Sequence, residues 1–228
     1  MARSIQIVFA DDDIIVVDKP SGAYVHPSPG HEEGAVCMEL ADRFPEMASV
    51  GSAERPGVVH RLDADTSGVM VFARTQRAYT HLREAFEKHG QVKKTYLAVV
   101  HGAPKTNSGE IETSIGRKPW DPRRMAVNVP GGKRAITSWT VLERSGPISL
   151  VEFKIATGRT HQIRVHAAHL GCPIAGDSLY GDARKDARMA VRPRRTLLHA
   201  VEIAFPHPAS GRIFRFAVKP PPDILFAR

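Results

Sequence analysis

The chain has 228 residues, 42% of them hydrophobic, with 32 Lys and Arg against 24 Asp and Glu for a net charge of +8. That length suits one domain or two closely joined halves, a domain commonly taking about 100–200 residues. No stretch approaches the ~20 apolar residues of a membrane span, and the start of the chain lacks the apolar core of an export signal. Two distant cysteines, Cys37 and Cys172, belong to no CxxC pair, which fits a reduced, cytoplasmic protein better than a disulfide scaffold. The basic excess suits a polyanionic partner, because phosphates reward clustered Lys and Arg by counterion release. It suits equally a basic enzyme without such a partner, and charge alone leaves both open.

Along the chain, residues 5–9 and 14–17 are apolar-rich and predict two strands around an Asp11-Asp12-Asp13 turn. Residues 26–57 are rich in Pro, Gly, His and Glu and predict loop with one short helix over 36–44. The run 69–73, taken as an alternating apolar run, predicts a strand. Thr75 is placed to cap a helix over 76–88, with Tyr79, Leu82 and Phe86 at helical spacing and Gly90 beyond its end. A buried strand is expected over 96–100. From 101 to 134 the apolar pattern gives way to Gly, Pro, Lys and Arg, which reads as a long loop, either functional or disordered. Strands over 136–142 and 150–155 follow. Thr160 is then read as the cap of a short helix with Ile163, Ala167 and Leu170 on its apolar face and Gly171 after it. Two late strands, 198–205 and 212–218, precede three prolines that stop further pairing. Many strands with few helices predict an α+β fold on a large mixed or antiparallel sheet.

Two polar motifs stand out. His60-Arg61-Leu62-Asp63-Ala64-Asp65-Thr66-Ser67-Gly68 sets a carboxylate and an arginine in a short loop directly before a strand. Thr157-Gly158-Arg159-Thr160-His161-Gln162-Ile163-Arg164-Val165-His166 gathers two arginines and two histidines around a helix start. A guanidinium near a buried carboxylate keeps it ionised, and an ionised, oriented carboxylate is what a covalent nucleophile needs. Asp65, Thr66 and Ser67 are read as hydrogen bonders that stabilise the loop rather than as half of a glycosidase pair. His161, His166 and His169 lack the spacing of an HExxH zinc site, and Gly131-Gly132-Lys133-Arg134 lacks that of a P-loop; no metal site is expected.

These motifs resemble those of the RluA-type family of RNA pseudouridine synthases. Lys93-Lys94-Thr95-Tyr96-Leu97-Ala98 resembles that family's tyrosine motif, and Thr157 to His166 its arginine motif. Gly176-Asp177-Ser178-Leu179-Tyr180-Gly181 and Leu198-His199-Ala200 resemble its closing elements, and the order is preserved over nearly the whole chain. The resemblance implies one catalytic domain over residues 1–228 in two sub-halves. It implies a bent, mainly antiparallel sheet flanked by helices and loops around a central RNA-binding cleft. The pattern begins almost at residue 5, so no S4-type RNA-binding domain is expected.

The activity implied is isomerisation of uridine to pseudouridine in an rRNA or tRNA stem-loop, by a monomer, without cofactor or metal. Asp63 matches the nucleophile, Tyr96 the ring that stacks on the target uracil, and Arg164 the basic residue that pairs with the nucleophile. Arg61 matches the residue that fills the gap left by the flipped base, and Leu198 an apolar pocket residue. Arg123, Arg124, Lys133 and Arg134, with Arg117, Lys118, Arg192, Arg194 and Arg195, are expected to meet phosphates. Two rival readings are an RNA-binding module without catalysis, and an N-glycoside hydrolase that would leave free uracil and an abasic site.

Overall fold

The computed structural model describes residues 5–88 and 90–225. The chain divides into two compact units, one built from the residues up to Lys93 together with Ala200–Val218, the other from Lys94–His199 together with the residues from Lys219 onward.

In the first unit, β1 (Gln6–Ala10), β2 (Ile14–Lys19) and β5 (Ser67–Ala73) pair antiparallel in that order. β11 (Leu198–Pro206), which belongs to this unit from Ala200 onward, follows β5, and β12 (Ile213–Ala217) pairs with β11 antiparallel. All seven residues of β5 are buried, so Val69 to Ala73 is a continuous apolar run covered on both faces and not the alternating one expected. Gly68 has φ +123°, and a Cβ there would lie 2.2 Å from the Ala200 carbonyl oxygen. The glycine that ends the Asp63 motif is therefore required by the close approach of β5 to β11. Helix α1 (Val36–Arg43) and helix α2 (Gln76–Glu87) match the expected positions. Thr75 Oγ1 accepts from Ala78 N at 3.1 Å, the cap that was expected.

The 26–57 segment holds more than loop. After a 3-10 turn over Pro45–Ser49 comes a short hairpin of β3 (Gly51–Ser52) and β4 (Arg55–Pro56). Two-residue strands carry no readable periodicity, so composition alone could not reveal them.

In the second unit, β6 (Lys93–His101), β10 (Ile148–Ile155), β9 (Lys133–Ser145), β7 (Ser108–Lys118) and β8 (Asp121–Val127) are neighbours in that order, antiparallel throughout. The reading of 101–134 as a long loop is corrected here: most of it is the β7–β8 hairpin. Both strands are half-exposed along most of their length, so polar and basic residues replace the apolar ones that would have announced them. Beneath the hairpin, Met125, Val127 and Tyr180 pack on Ile115, Ala135 and Val165. A second cluster joins Val99, Ile148, Leu150, Ala175, Leu197 and Ile224.

Helix α3 (Gln162–His169) is also corrected. Its N-cap is His161, at φ 56°, and not Thr160. Gln162, Arg164 and His166 are buried alongside Ile163 and Ala167, so polar residues are enclosed with the apolar ones and only the last turn, at His169, reaches solvent. Gly171 closes it at φ +78°, its N–H donating to the Ala168 carbonyl at 3.0 Å. Helix α4 (Ala183–Asp186) is a single turn capped by Asp182. No helix among the described residues is long and apolar enough to cross a membrane.

Candidate active site

Asp63 and Arg61 lie in the first unit, on the loop that enters β5. The loop is held by its main chain. Lys19, wholly buried at the end of β2, donates from Nζ to the carbonyls of Pro20, Ala23 and Ala64 at 3.0, 2.8 and 2.9 Å. Gly22 N donates to the same Ala64 carbonyl at 2.9 Å, and Ser21 Oγ donates to the Asp65 carbonyl at 2.8 Å. Thr66 N donates to the Asp63 carbonyl at 3.1 Å, a turn that brackets the half-buried Asp63. The motif's first residue anchors it from the other side. His60 Nε2 accepts from Val71 N at 3.2 Å, and its ring stacks on Phe86 of α2 with centroids 4.5 Å apart. Asp65 and Thr66 enter these contacts through their main chain, not through the side chains expected to steady the loop. Lys19 and Ser21 were not singled out in the sequence; the lysine directly before a Pro-Ser-Gly turn was the available signal.

Tyr96, Arg164 and Leu198 lie in the second unit. Tyr96 is buried on β6, opposite Phe153 of β10. Arg164 is buried on α3, and its head group is gripped by Asp177: Nε donates to Oδ2 at 2.7 Å and Nη2 to Oδ1 at 2.8 Å. Such a bidentate, charge-assisted pair fixes both position and orientation. Burial alone would push the Asp177 carboxyl up, but hydrogen bonds and charge from Arg164, with the amides of Leu179 and Tyr180, hold it below the ordinary value. The Arg164 guanidinium also lies over the Tyr180 ring, 5.3 Å from its centroid. Tyr180 Oη in turn accepts from Met125 N at 2.7 Å and meets His161 Nδ1 at 2.8 Å. A chain of contacts thus runs from β8 through Tyr180 to Arg164. The turn that carries Asp177 and Tyr180 depends on Gly176, where a Cβ would lie 2.0 Å from the Arg195 carbonyl.

Gln162 pins the arginine motif to β9. Its Oε1 accepts from Thr157 Oγ1 at 2.7 Å and from Arg159 N at 3.0 Å, and its Nε2 donates to the Ile136 carbonyl at 2.9 Å and Thr137 Oγ1 at 3.0 Å. His166 is wholly buried between two hydroxyls, Thr137 Oγ1 at 2.8 Å from Nδ1 and Thr113 Oγ1 at 2.9 Å from Nε2. Burial, with His169 nearby, pushes its imidazole down to about 4. Two residues before Tyr96, burial and the Arg159 guanidinium push the Lys94 amine down to about 8. Among the described residues no group of three or more His, Cys, Asp or Glu could hold a metal ion.

The basic positions divide. Arg134 forms a bidentate pair with Glu112 at 2.7 and 2.8 Å, and Arg195 one with Asp223 at 2.7 and 2.6 Å. Arg195 Nη1 also donates to the carbonyls of Thr196 and Leu198, at 3.0 and 3.3 Å, so it steadies the backbone of the buried Leu198. Arg123 and Arg124 share the Asp121 carboxylate at 3.5 Å each, and Lys133 is exposed. Trp120, 84% exposed at the tip of the hairpin, is no packing anchor.

Comparison with known proteins agrees with the motifs. Residues 13–169 match the model of the RNA pseudouridylate synthase family. The chain belongs to that family. An RNA pseudouridine synthase of Synechocystis, uncharacterized, is 40% identical over 96% of this chain and 66% of its own length. The ribosomal large subunit pseudouridine synthase D of Xanthomonas campestris is 42% identical over 96% of this chain and 67% of its own. The chain thus spans about two-thirds of the length of these curated relatives. Among solved structures, human RNA pseudouridylate synthase domain containing 1 superposes with a TM-score of 0.76 at 29% identity, covering 96% of this chain and 84% of that one. Human RNA pseudouridylate synthase domain containing 4 gives 0.77 at 26%, covering 97% and 91%. The fold is therefore that of the pseudouridine synthases, a large, mainly antiparallel sheet with few helices, and the family is one of RNA-modifying isomerases.

Proposed function

We propose that this chain converts specific uridines of a structured RNA to pseudouridine, with Asp63 as the nucleophile. The observation that carries the reading is the family match over residues 13–169, a span that includes Arg61, Asp63, Tyr96 and Arg164. Large-subunit rRNA is the favoured substrate, because relatives in Xanthomonas campestris and Neisseria meningitidis carry the name ribosomal large subunit pseudouridine synthase D; a tRNA stem-loop is the second choice.

The chemistry asks for four things. The target nucleotide must leave its stack, at a cost of a few kcal/mol. Tyr96 recovers ~1–3 kcal/mol by stacking on the extruded uracil, and the planar guanidinium of Arg61 takes the vacated place. Asp63 attacks, at C1′ or at C6, and Arg164 takes the part of the family's basic residue. The N1–C1′ bond breaks, the detached ring turns, C5 bonds to C1′, the bond to Asp63 breaks to return the carboxylate, and C5 gives up its proton to solvent, while Leu198 helps keep water from the pocket.

Incubation with C5-tritiated large-subunit rRNA tests this. The wild type releases tritium and Asp63→Asn does not; equal release by both removes Asp63 from the mechanism. Free uracil in place of an RNA of unchanged mass would mean a hydrolase. Binding with no pseudouridine formed would mean a silent RNA-binding module.

A further inference from the structure

Within the first unit, a cavity of about 390 Å³ opens beside the Asp63 loop. Its size lies at the lower end of the range for small-ligand sites, about 300–1,000 Å³. Three arginines line it: Arg55 from β4, Arg61 from the Asp63 loop and Arg83 from α2. Against them stands one lining carboxylate, Glu54.

The cations are poorly neutralised. Arg55 and Arg61 make no ion pair among the described residues, and Arg83 has only an exposed contact to Glu87 at 3.2 Å, one helical turn on. Pairs of that kind contribute little. The field inside is felt by His26, a buried lining residue whose imidazole is held below its ordinary value by burial and then by Arg55 and Arg61. A concave site with three guanidiniums is built for a phosphate.

The cavity is more than an anion site. Tyr79 of α2 lines it with a half-buried ring, seated against the backbone of Gly51; a Cβ at Gly51 would lie 2.8 Å from Tyr79 Cε2. Gly51 N donates to Gln76 Oε1 at 2.9 Å, which ties the β3–β4 hairpin to α2 and fixes the two walls that carry Arg55 and Tyr79. An aromatic face beside guanidiniums is the usual platform for a nucleobase with its phosphate. Arg61 belongs both to this cavity and to the loop of Asp63, two residues on. Two residues of chain reach about 7 Å at most, roughly one nucleotide step along an unstacked strand.

We propose that this cavity is a second nucleotide subsite, taking the nucleotide next to the target uridine, with its phosphate on Arg55 and Arg83 and its base against Tyr79. The proposal rests on the enzyme reading above and adds to it the contact that reads sequence beside the target. A base bound here is selected by stacking and by the lining polar groups, so the site contributes to the choice of uridine.

Photolabelling with 8-azidoadenosine 3′,5′-bisphosphate, followed by peptide mapping, tests it. Label should fall on residues 51–61 or 79–83, and adenosine 3′,5′-bisphosphate should compete while an equal concentration of inorganic phosphate does not. Arg55→Gln with Arg83→Gln should lower labelling about tenfold or more, as loss of charge-assisted hydrogen bonds implies. Tyr79→Phe should keep the label and Tyr79→Leu should lose it. Labelling indifferent to the arginine changes, or competed equally by inorganic phosphate, overturns the subsite. Tritium release by the same proteins separates the two readings: active wild type with unaltered labelling in the arginine variant refutes the subsite alone, whereas inactive wild type refutes the enzyme and the RNA assignment with it.

Discussion

In the first unit the loop of Asp63 is fixed through its backbone: a buried ammonium, Lys19, gathers three carbonyls. In the second, Arg164 is fixed through its own head group, by a carboxylate below it and an aromatic ring across it. The difference follows from the groups themselves. The proposed nucleophile must present an oxygen to substrate, and the hydrogen bonds from Lys19, Ser21 and Thr66 order its loop through the main chain. A guanidinium has five donors in a planar fork, so two of them can be committed to a carboxylate without spending the rest.

The sharpest way to break this contrast is at Asp177. Asp177→Ala leaves the Arg164 guanidinium buried without its carboxylate, and loss of one partner of a buried pair costs about 3–5 kcal/mol. Urea unfolding should show a loss of that size, with Asp177→Asn losing less because the shape is kept. Asp177→Asn should also lower the single-turnover rate at saturating RNA more than it weakens RNA binding, as a positioning role requires. A stability loss under about 1 kcal/mol for the alanine variant would mean that Arg164 is held mainly by other contacts.

Lys19→Met attacks the other half of the contrast. Three carbonyls lose a charged donor, each such bond contributing about 1.5–3 kcal/mol, while the desolvation cost of a buried ammonium is relieved. The net loss should be about 2–3 kcal/mol. Unlike that at Asp177, it should be local: amide exchange should quicken at Gly22 and Thr66, whose N–H groups close this loop. Unchanged protection at those two amides would show that the loop does not depend on Lys19.

Acid provides a third comparison. His166 is held neutral in the folded second unit, its imidazole pushed down to about 4 by burial. Below about 6.5 the unfolded chain takes up a proton that the folded chain refuses. Stability therefore falls as pH drops from about 6.5 toward 4, by about 2 kcal/mol at pH 5 from this group. His166→Gln should flatten that part of the curve. An unchanged slope between pH 7 and pH 5 would assign the acid sensitivity elsewhere.

Legibility followed burial. β2, β5 and β6 could be read because their residues are enclosed and apolar, and α2 because Thr75 caps it and Leu82 faces the core. The β7–β8 hairpin escaped because its half-exposed strands accept Arg, Lys and Pro where a core strand would show Val or Ile. For the candidate site, the motifs single out Asp63, Tyr96 and Arg164. Their supports were hidden for a different reason. Lys19 and Ala64 are 45 residues apart, and Arg164 and Asp177 are 13 apart, so no local spacing links them. Gln162 sat inside a motif already noticed, yet only the fold shows that all four hydrogen bonds of its amide are used within the unit.

The smallest effect on stability, and the clearest on binding, should come from the hairpin. Arg123 and Arg124 share one carboxylate at 3.5 Å, and Arg123 is 83% exposed. Replacing both with Gln should change stability by less than about 0.5 kcal/mol. If both meet phosphates, affinity for large-subunit rRNA should fall, and the slope of log affinity against log salt should flatten by about 2. Arg134 is the internal control, because its guanidinium is already committed to Glu112 on the neighbouring strand. Arg134→Gln should flatten the slope less than the double replacement does. An equal effect would mean that RNA takes Arg134 from Glu112, and then the ion pairs of this hairpin, unlike the clamp on Arg164, are places held for the substrate.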